Sequence, residues 1–180
     1  AANVGFDKNA DITTGPVIDG RAWARLKGLV DNAVADGAKL LAGGGRPAGL
    51  NAGHYLAPTV LTDVTETMEV YRQETFGPIV SIVSFDDQTD LLRMANDCEE
   101  GGLTAYIFTR DLARAEHYAA HLRYGEIQIN GVKYDIDLPH GGIGQAGIGH
   151  DCSSLALHDY LVQKRITRAL DTTTFGGLNP

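Results

Sequence analysis

Glu74, Thr75, Phe76, Gly77 and Pro78 are the residues of this chain whose types and spacing suit chemistry best. A carboxylate and a flat ring stand two positions apart. A Gly-Pro pair then leads into the apolar run Ile79, Val80, Ser81, Ile82 and Val83. A carboxylate at a strand entrance can accept hydrogen bonds from two vicinal hydroxyls, such as those of a ribose. Each bond to a charged group contributes about 1.5–3 kcal/mol, enough to fix a ligand's pose. The Phe76 face would flank a planar ring, with Gly77-Pro78 restricting the backbone that carries both side chains. The plainer alternative has Glu74 capping a turn and Phe76 in the core. No nucleophile, phosphate loop or metal cluster accompanies the motif in sequence, so it reads as half of an active site.

A second glycine motif is tempting and is set aside. Gly142, Gly144 and Gly147 match G-x-G-x-x-G, but a dinucleotide fingerprint needs a strand before it and a helix opening on the third glycine. Residues 135–140 hold too many breakers for a central strand, and Ile148 to Asp151 open no helix. A loop lying close to other backbone is the preferred reading. His117 and His121 are spaced i, i+4 on an expected helix without an evident third ligand, which fits a solvated face and predicts no metal site.

The elements that must carry these residues alternate in period. Apolar positions at Trp23, Leu26, Leu29, Val30, Ala33 and Val34 predict a helix over 21–36, capped by Asp19 and stopped at Gly37. Strands are expected at 38–42, within 55–64 (where Pro58 suggests a sheet edge), at 79–85, 103–108 and 126–130. The run at 79–85 has the look of a strand covered on both faces. Helices are expected after Asp86-Asp87 through Leu91, Leu92, Met94 and Ala95, and over 111–122 with Leu112, Ala115, Ala119 and Leu122 on one stripe. This order predicts an α/β fold: an open, mostly parallel sheet with helices on both faces. Residues 131–149 read as a long ordered loop and 155–160 as one or two helical turns. Residues 161–168 alternate as a half-exposed strand does, one able to pair with an edge on another subunit. Residues 171–180 look frayed.

Bulk composition limits the function classes. The 180 residues suit one compact domain, 43% hydrophobic and 21% charged, with no run long enough to span a bilayer. A net charge of -8 argues against non-specific nucleic-acid binding, which needs a basic face. Cys98 and Cys152 form no Cys-x-x-Cys pair, so a reducing, cytoplasmic setting is expected. The first residues lack a signal peptide and an initiator methionine, so the chain is expected to begin inside a longer polypeptide.

Taken in order, the motifs resemble the C-terminal part of an NAD(P)-dependent aldehyde dehydrogenase. Val4-Gly5 with Gly15-Pro16-Val17-Ile18, Gly37-Ala38-Lys39-Leu40-Leu41-Ala42-Gly43-Gly44, and Pro58-Thr59-Val60-Leu61 come first. Glu74 to Pro78 follows, then Ala95-Asn96-Asp97, Gly102-Leu103-Thr104-Ala105, Phe108-Thr109-Arg110-Asp111 and Gly125-Glu126-Ile127-Gln128-Ile129-Asn130. Each is weak alone; the order carries the resemblance, which covers nearly the whole chain.

The resemblance implies covalent catalysis coupled to a redox cofactor, NAD or NADP. A cysteine attacks the aldehyde, hydride passes to the nicotinamide, and a glutamate-activated water releases the acid. It also implies that Glu74 holds the nicotinamide ribose, that Phe76 packs near the nicotinamide, and that Asn130, His140 and the loop 135–142 border the pocket for a small aldehyde. The nucleophile and general base are expected upstream, with no catalytic residue in this chain, so the 180 residues alone are predicted inactive. Residues 1–160 would be the partial catalytic domain. Residues 161–180 would be an oligomerisation strand and tail, pairing copies from Gln163 to Ala169. Both cysteines are expected to be inert. Where the family loop reads P-F-G-G-x-K-x-S-G, this chain has His140 and Gly144. A polar imidazole there would suit a hydroxylated or acidic aldehyde; that His140 simply donates to a loop carbonyl is the preferred reading. An acylating or acyl-phosphate reductase of the same architecture, and a non-catalytic interaction module, are the alternatives.

Overall fold

The computed structural model describes residues 3–6, 11–86, 88–97, 101–133 and 135–168. The first helix, α1 (Gly20–Ala35), forms because Leu26, Leu29, Val30 and Ala33 recur at helical spacing and all four are buried. The Asp19 carboxylate accepts from the Ala22 amide and caps the helix. Gly37, with φ of 109°, lets the chain turn into β1 (Lys39–Ala42). β1 pairs antiparallel with β2 (Thr59–Thr62), and β2 pairs parallel with β3 (Ile79–Ser81). A short helix, α2 (Glu69–Arg72), lies between β2 and β3. Leu26 and Val30 of α1 pack with Leu56, Leu61, Met68 and Ile79 into one core.

Two expectations change here. Pro58 does not mark a sheet edge: β2 is the central strand of three. The proline stands just before the ladder, where its missing N–H is not needed, and Thr59 begins the pairing with Ile79. The run from Ile79 is not covered on both faces either. Only three residues are strand, and Val80 is 58% exposed beside a buried Ile79. Among the described residues β3 is an edge strand, and no element lies over its second face.

The remaining elements are α3 (Gln88–Asn96), β4 (Thr104–Ile107), α4 (Leu112–His121) and β5 (Glu126–Ile129). β4 and β5 pair in parallel from Thr104↔Glu126 to Ile107↔Ile129. The Asp111 carboxylate caps α4 by accepting from the Arg114 amide. The buried stripe of α4 is Ala115 and Tyr118, while Leu112 stays exposed. Asn96 fastens the ends of α3 and α4: its Nδ2 donates to the His121 carbonyl (3.0 Å) and its Oδ1 accepts from the Arg123 amide (2.7 Å). The Tyr71 hydroxyl donates to the Met94 carbonyl at 2.8 Å, and Arg93 grips Glu66 through both guanidinium nitrogens, tying this half to the first.

The α/β class is thus present, but the single open sheet is not. Among the described residues the strands form a three-stranded and a two-stranded ladder. Helices do not cover both faces of one sheet; α1 packs on the first ladder, and α3 and α4 share an apolar cleft with β4. Strands join only where their edges meet, and the free edges of β3 and β4 do not. Residues 131–133 and 135–149 form a loop, as expected, with a 3-10 turn at Gly144–Ala146 and a further 3-10 segment at Ser154–Tyr160. Residues 161–168 are exposed, and among the described residues they pair with no strand; an extended segment becomes a strand only where it meets a free sheet edge. Ala169 and residues 171–180 lie outside the described residues, as do Asp87 and Cys98. No helix among the described residues is long and apolar enough to cross a membrane.

Candidate functional site

The segment carrying Glu74 and Phe76 runs from α2 into the amino end of β3, and its backbone is pinned from three sides. Arg25 of α1 donates from Nη2 to the Thr75 carbonyl at 2.6 Å. Thr59, the first residue of β2, donates its amide to the Pro78 carbonyl at 2.8 Å. Gly77 lies against Leu26, so closely that an added Cβ would stand 2.5 Å from Leu26 Cδ1. Any larger residue there must displace the buried leucine, and the Gly-Pro pair therefore seats the motif on the buried face of α1.

Pinned this way, both side chains face solvent. Glu74 is exposed, and Phe76 is 81% exposed on a left-handed backbone with φ of 46°. An aromatic residue with positive φ is uncommon. The reading of Phe76 as ordinary core is excluded. What remains is an acceptor-only carboxylate and a bare aromatic face, two residues apart on a fixed support.

Asn130 and His140 occupy opposite ends of β5. Asn130 follows the strand, with φ of 53°. Its Oδ1 accepts from the Thr109 amide at 2.9 Å and its Nδ2 donates to the Thr109 carbonyl at 2.8 Å. The side-chain amide is therefore a clasp on the turn after β4. His140 sits beside the strand's first residue, the length of a four-residue strand away, about 13 Å at roughly 3.3 Å per residue. The structure does not bring these two residues together.

His140 makes a contact outside its preferred reading. The ring was expected to meet a loop carbonyl; its Nδ1 meets a strand carboxylate, Glu126 Oε2, at 2.8 Å. Both side chains are mostly buried, 30% and 22% exposed. Gln128 Nε2 donates to the other oxygen, Glu126 Oε1, at 2.6 Å. The His140 hydrogen bond foremost, and the Gln128 bond after it, hold the Glu126 carboxyl below its ordinary value. Sequence reasoning passed over Glu126 and Gln128. The signal was there: two polar residues at i, i+2 put a polar pair on one strand face next to a glycine loop.

The glycine loop behaves as the sequence suggested. Gly125 lies against the Gly141 carbonyl, leaving no room for a Cβ, and the turn at Gly144–Ala146 opens no α-helix. Cys152 is half-buried on left-handed backbone, φ 62°. The His117 and His121 rings lie 4.5 Å apart, and His121 Nδ1 lies 2.7 Å from the His117 carbonyl oxygen. A cleft of about 370 Å³ between α3, β4 and α4 is lined by Leu91, Leu92, Ala95, Ala105, Ile107 and Tyr118; Glu74 and Phe76 are not among its walls.

Residues 1–166 match the aldehyde dehydrogenase family. The glutarate-semialdehyde dehydrogenase of Pseudomonas aeruginosa is 39% identical over 160 residues, which is 88% of this chain and 32% of that protein. Among solved structures, a succinate-semialdehyde dehydrogenase from Burkholderia pseudomallei superposes with a TM-score of 0.83 at 37% identity, covering 89% of this chain and 33% of that one. A Mycobacterium tuberculosis aldehyde dehydrogenase complexed with NAD+ gives a TM-score of 0.83 at 31% identity, with 89% and 33% covered. The chain spans about a third of the length of these relatives.

Proposed function

The chain belongs to the aldehyde dehydrogenase family, and on that premise we propose that the complete polypeptide carrying it oxidises an aldehyde to a carboxylic acid with NAD or NADP. In this reading the chain is the C-terminal part of the catalytic domain, with the attacking cysteine and the water-activating glutamate supplied upstream. Neither role falls to Cys152 or Cys98. The observation that carries the reading is the pinned, solvent-facing pair Glu74 and Phe76.

That pair fits the cofactor. The bound dinucleotide supplies a hydride acceptor. Glu74 would take both hydroxyls of its nicotinamide ribose, since an ionised carboxylate offers two acceptor oxygens to a diol. Phe76 would lie against the planar ring. Their support does not move with the ligand, because Arg25, Thr59 and Leu26 fix the backbone beforehand. Preorganisation of this kind saves the ordering cost of binding. The loop 135–142, with His140, would wall the aldehyde pocket. Asn130 would support that region through the Thr109 turn, not by touching the aldehyde. Leu161, Val162 and Ile166 stand in solvent on an unpaired extended segment, which supports pairing with another copy from Gln163 to Ala169.

Glu74→Gln in the complete polypeptide tests the assignment. Losing charge-assisted bonds worth about 1.5–3 kcal/mol should weaken cofactor binding or slow hydride transfer by about 10- to 100-fold. Cofactor affinity by fluorescence titration and single-turnover formation of reduced nicotinamide report the two effects separately. Unchanged values for both would remove Glu74 from the cofactor site.

A further inference from the structure

We propose that Glu126 and Gln128 form a two-point clamp that positions the glycine-rich loop on β5, with His140 as the loop's anchor. The clamp rests, for its catalytic consequence, on the reading that residues 135–142 wall the aldehyde pocket. Its geometry stands without that reading.

The two clamp residues alternate on β5, so their side chains leave the same face of the strand. Each takes one end of the loop segment 131–140. Gln128 Oε1 accepts from the Lys133 amide at 2.6 Å, just after the chain leaves β5. Glu126 Oε2 accepts from His140 Nδ1 at 2.8 Å, where the chain returns. The jaws are joined to each other by the 2.6 Å bond from Gln128 Nε2 to Glu126 Oε1. Thr104 of β4 braces the carboxylate from behind, with Oγ1 3.4 Å from Oε2. A side-chain amide and a carboxylate thus link Lys133 N, Gln128, Glu126 and His140 into one chain of hydrogen bonds, each able to strengthen its neighbour.

Beyond the clamp, backbone contacts also set the loop. The Gly141 carbonyl rests on Gly125, and the Gly102 carbonyl accepts from both Gly125 N (2.9 Å) and Ile143 N (3.1 Å). His140 and Asp151 exchange both backbone bonds, at 2.8 and 2.7 Å. Shifting His140 therefore shifts Gly141 to Ile143 with it. His140 and Glu126 are positioning residues here, acting on the pocket through the loop.

The charged and titratable groups around the pair decide how it responds to pH. Lys133 and Asp135 face it from the loop and pair with each other at 3.1 Å. His150, Asp151 and Asp159 border the opposite side of His140. The His140 ring donates from Nδ1 as the Nδ1–H tautomer or as the imidazolium, so the clamp does not need a charged imidazole. It weakens when Glu126 is protonated, because one of the two oxygens that accept from His140 and Gln128 then carries a proton. The folded carboxyl titrates below its ordinary value, so the clamp is at full strength above the unfolded value and weakens as pH falls through the folded one.

Hydrogen exchange of the complete polypeptide, read by mass spectrometry over residues 131–149, tests the clamp directly. Glu126→Ala should speed exchange there by about tenfold. Gln128→Leu should do so chiefly near Lys133, and it replaces Glu126→Ala should that variant fail to fold. In turnover assays, Glu126→Ala should raise KM for the aldehyde with kcat little changed. Glu126→Gln, which keeps one acceptor for His140 but stands in for the protonated carboxyl, should give exchange between that of the parent and that of Glu126→Ala and abolish the acid-side rise of KM. Unchanged exchange in Glu126→Ala and Gln128→Leu would overturn the clamp, as would a KM that rises on the acid side equally in Glu126→Gln. If exchange responds as stated but the parent polypeptide oxidises no aldehyde, the clamp stands and the pocket reading falls.

Discussion

Phe76 holds an aromatic side chain on left-handed backbone in open solvent, which local energetics do not favour. The left-handed conformation costs an L-residue roughly 1–2 kcal/mol, and the ring gains nothing from burial to offset it. Phe76→Gly should therefore leave urea-unfolding stability within about 1 kcal/mol of the parent, as relief of strain balances the added freedom of the unfolded chain. Cofactor affinity should fall in the same variant. A stability loss well beyond that range would show the ring packing against something in solution. At Glu66, Arg93 lowers the carboxyl value through a two-pronged hydrogen bond. The stability it lends is present above the unfolded value and fades as pH drops through the folded one. Arg93→Ala should flatten that acid-side loss, seen by comparing thermal midpoints of the two proteins between neutral and acid pH.

Among the elements, α1 sets the position of the candidate cofactor pair. It offers Leu26 as the floor under Gly77 and Arg25 as the strut to Thr75. Gly77→Ala should cost about 1–3 kcal/mol, since the new methyl must displace a fully buried leucine. Cofactor affinity should drop with it, because the motif is pushed off the helix. Asp19→Ala removes the cap that starts α1 and should cost about 1 kcal/mol without moving the motif. Urea unfolding paired with cofactor titration separates the two: one variant loses stability and binding together, the other stability alone. Equal binding losses in both would mean that the contact at Gly77 is not what places Glu74.

For the molecule as a whole, the informative fact is how much apolar surface stays uncovered. Val80, Ile82, Tyr106 and Phe108 are exposed on or beside the strands, and Val162 is 96% exposed. Surface of this kind marks places where other protein packs. Removing residues 163–169 from the complete polypeptide should lower its mass in light scattering from an oligomer towards a single copy. A complete polypeptide that is monomeric to begin with would end the oligomer proposal.

Much of this was legible from residue order. Local periodicity and caps determined α1, α4 and the places of β1, β2, β4 and β5, because a helix with Asp19 before it and Gly37 after it is specified by its own neighbours. The family was legible for the same reason: short motifs persist as strings. Glu74 and Phe76 could be picked as a pair, but that they face solvent rests on Arg25 and Leu26, some fifty residues distant in sequence. Likewise the alternation of Glu126 and Gln128 marks a polar strand face, but that His140, fourteen residues on, meets Glu126 is not written in it, and Asn130 is parted from His140 by the length of β5. Spacing decides what a segment becomes, because backbone hydrogen bonding is short-ranged. Which side chains meet depends on long-range packing, and that only the folded chain decides.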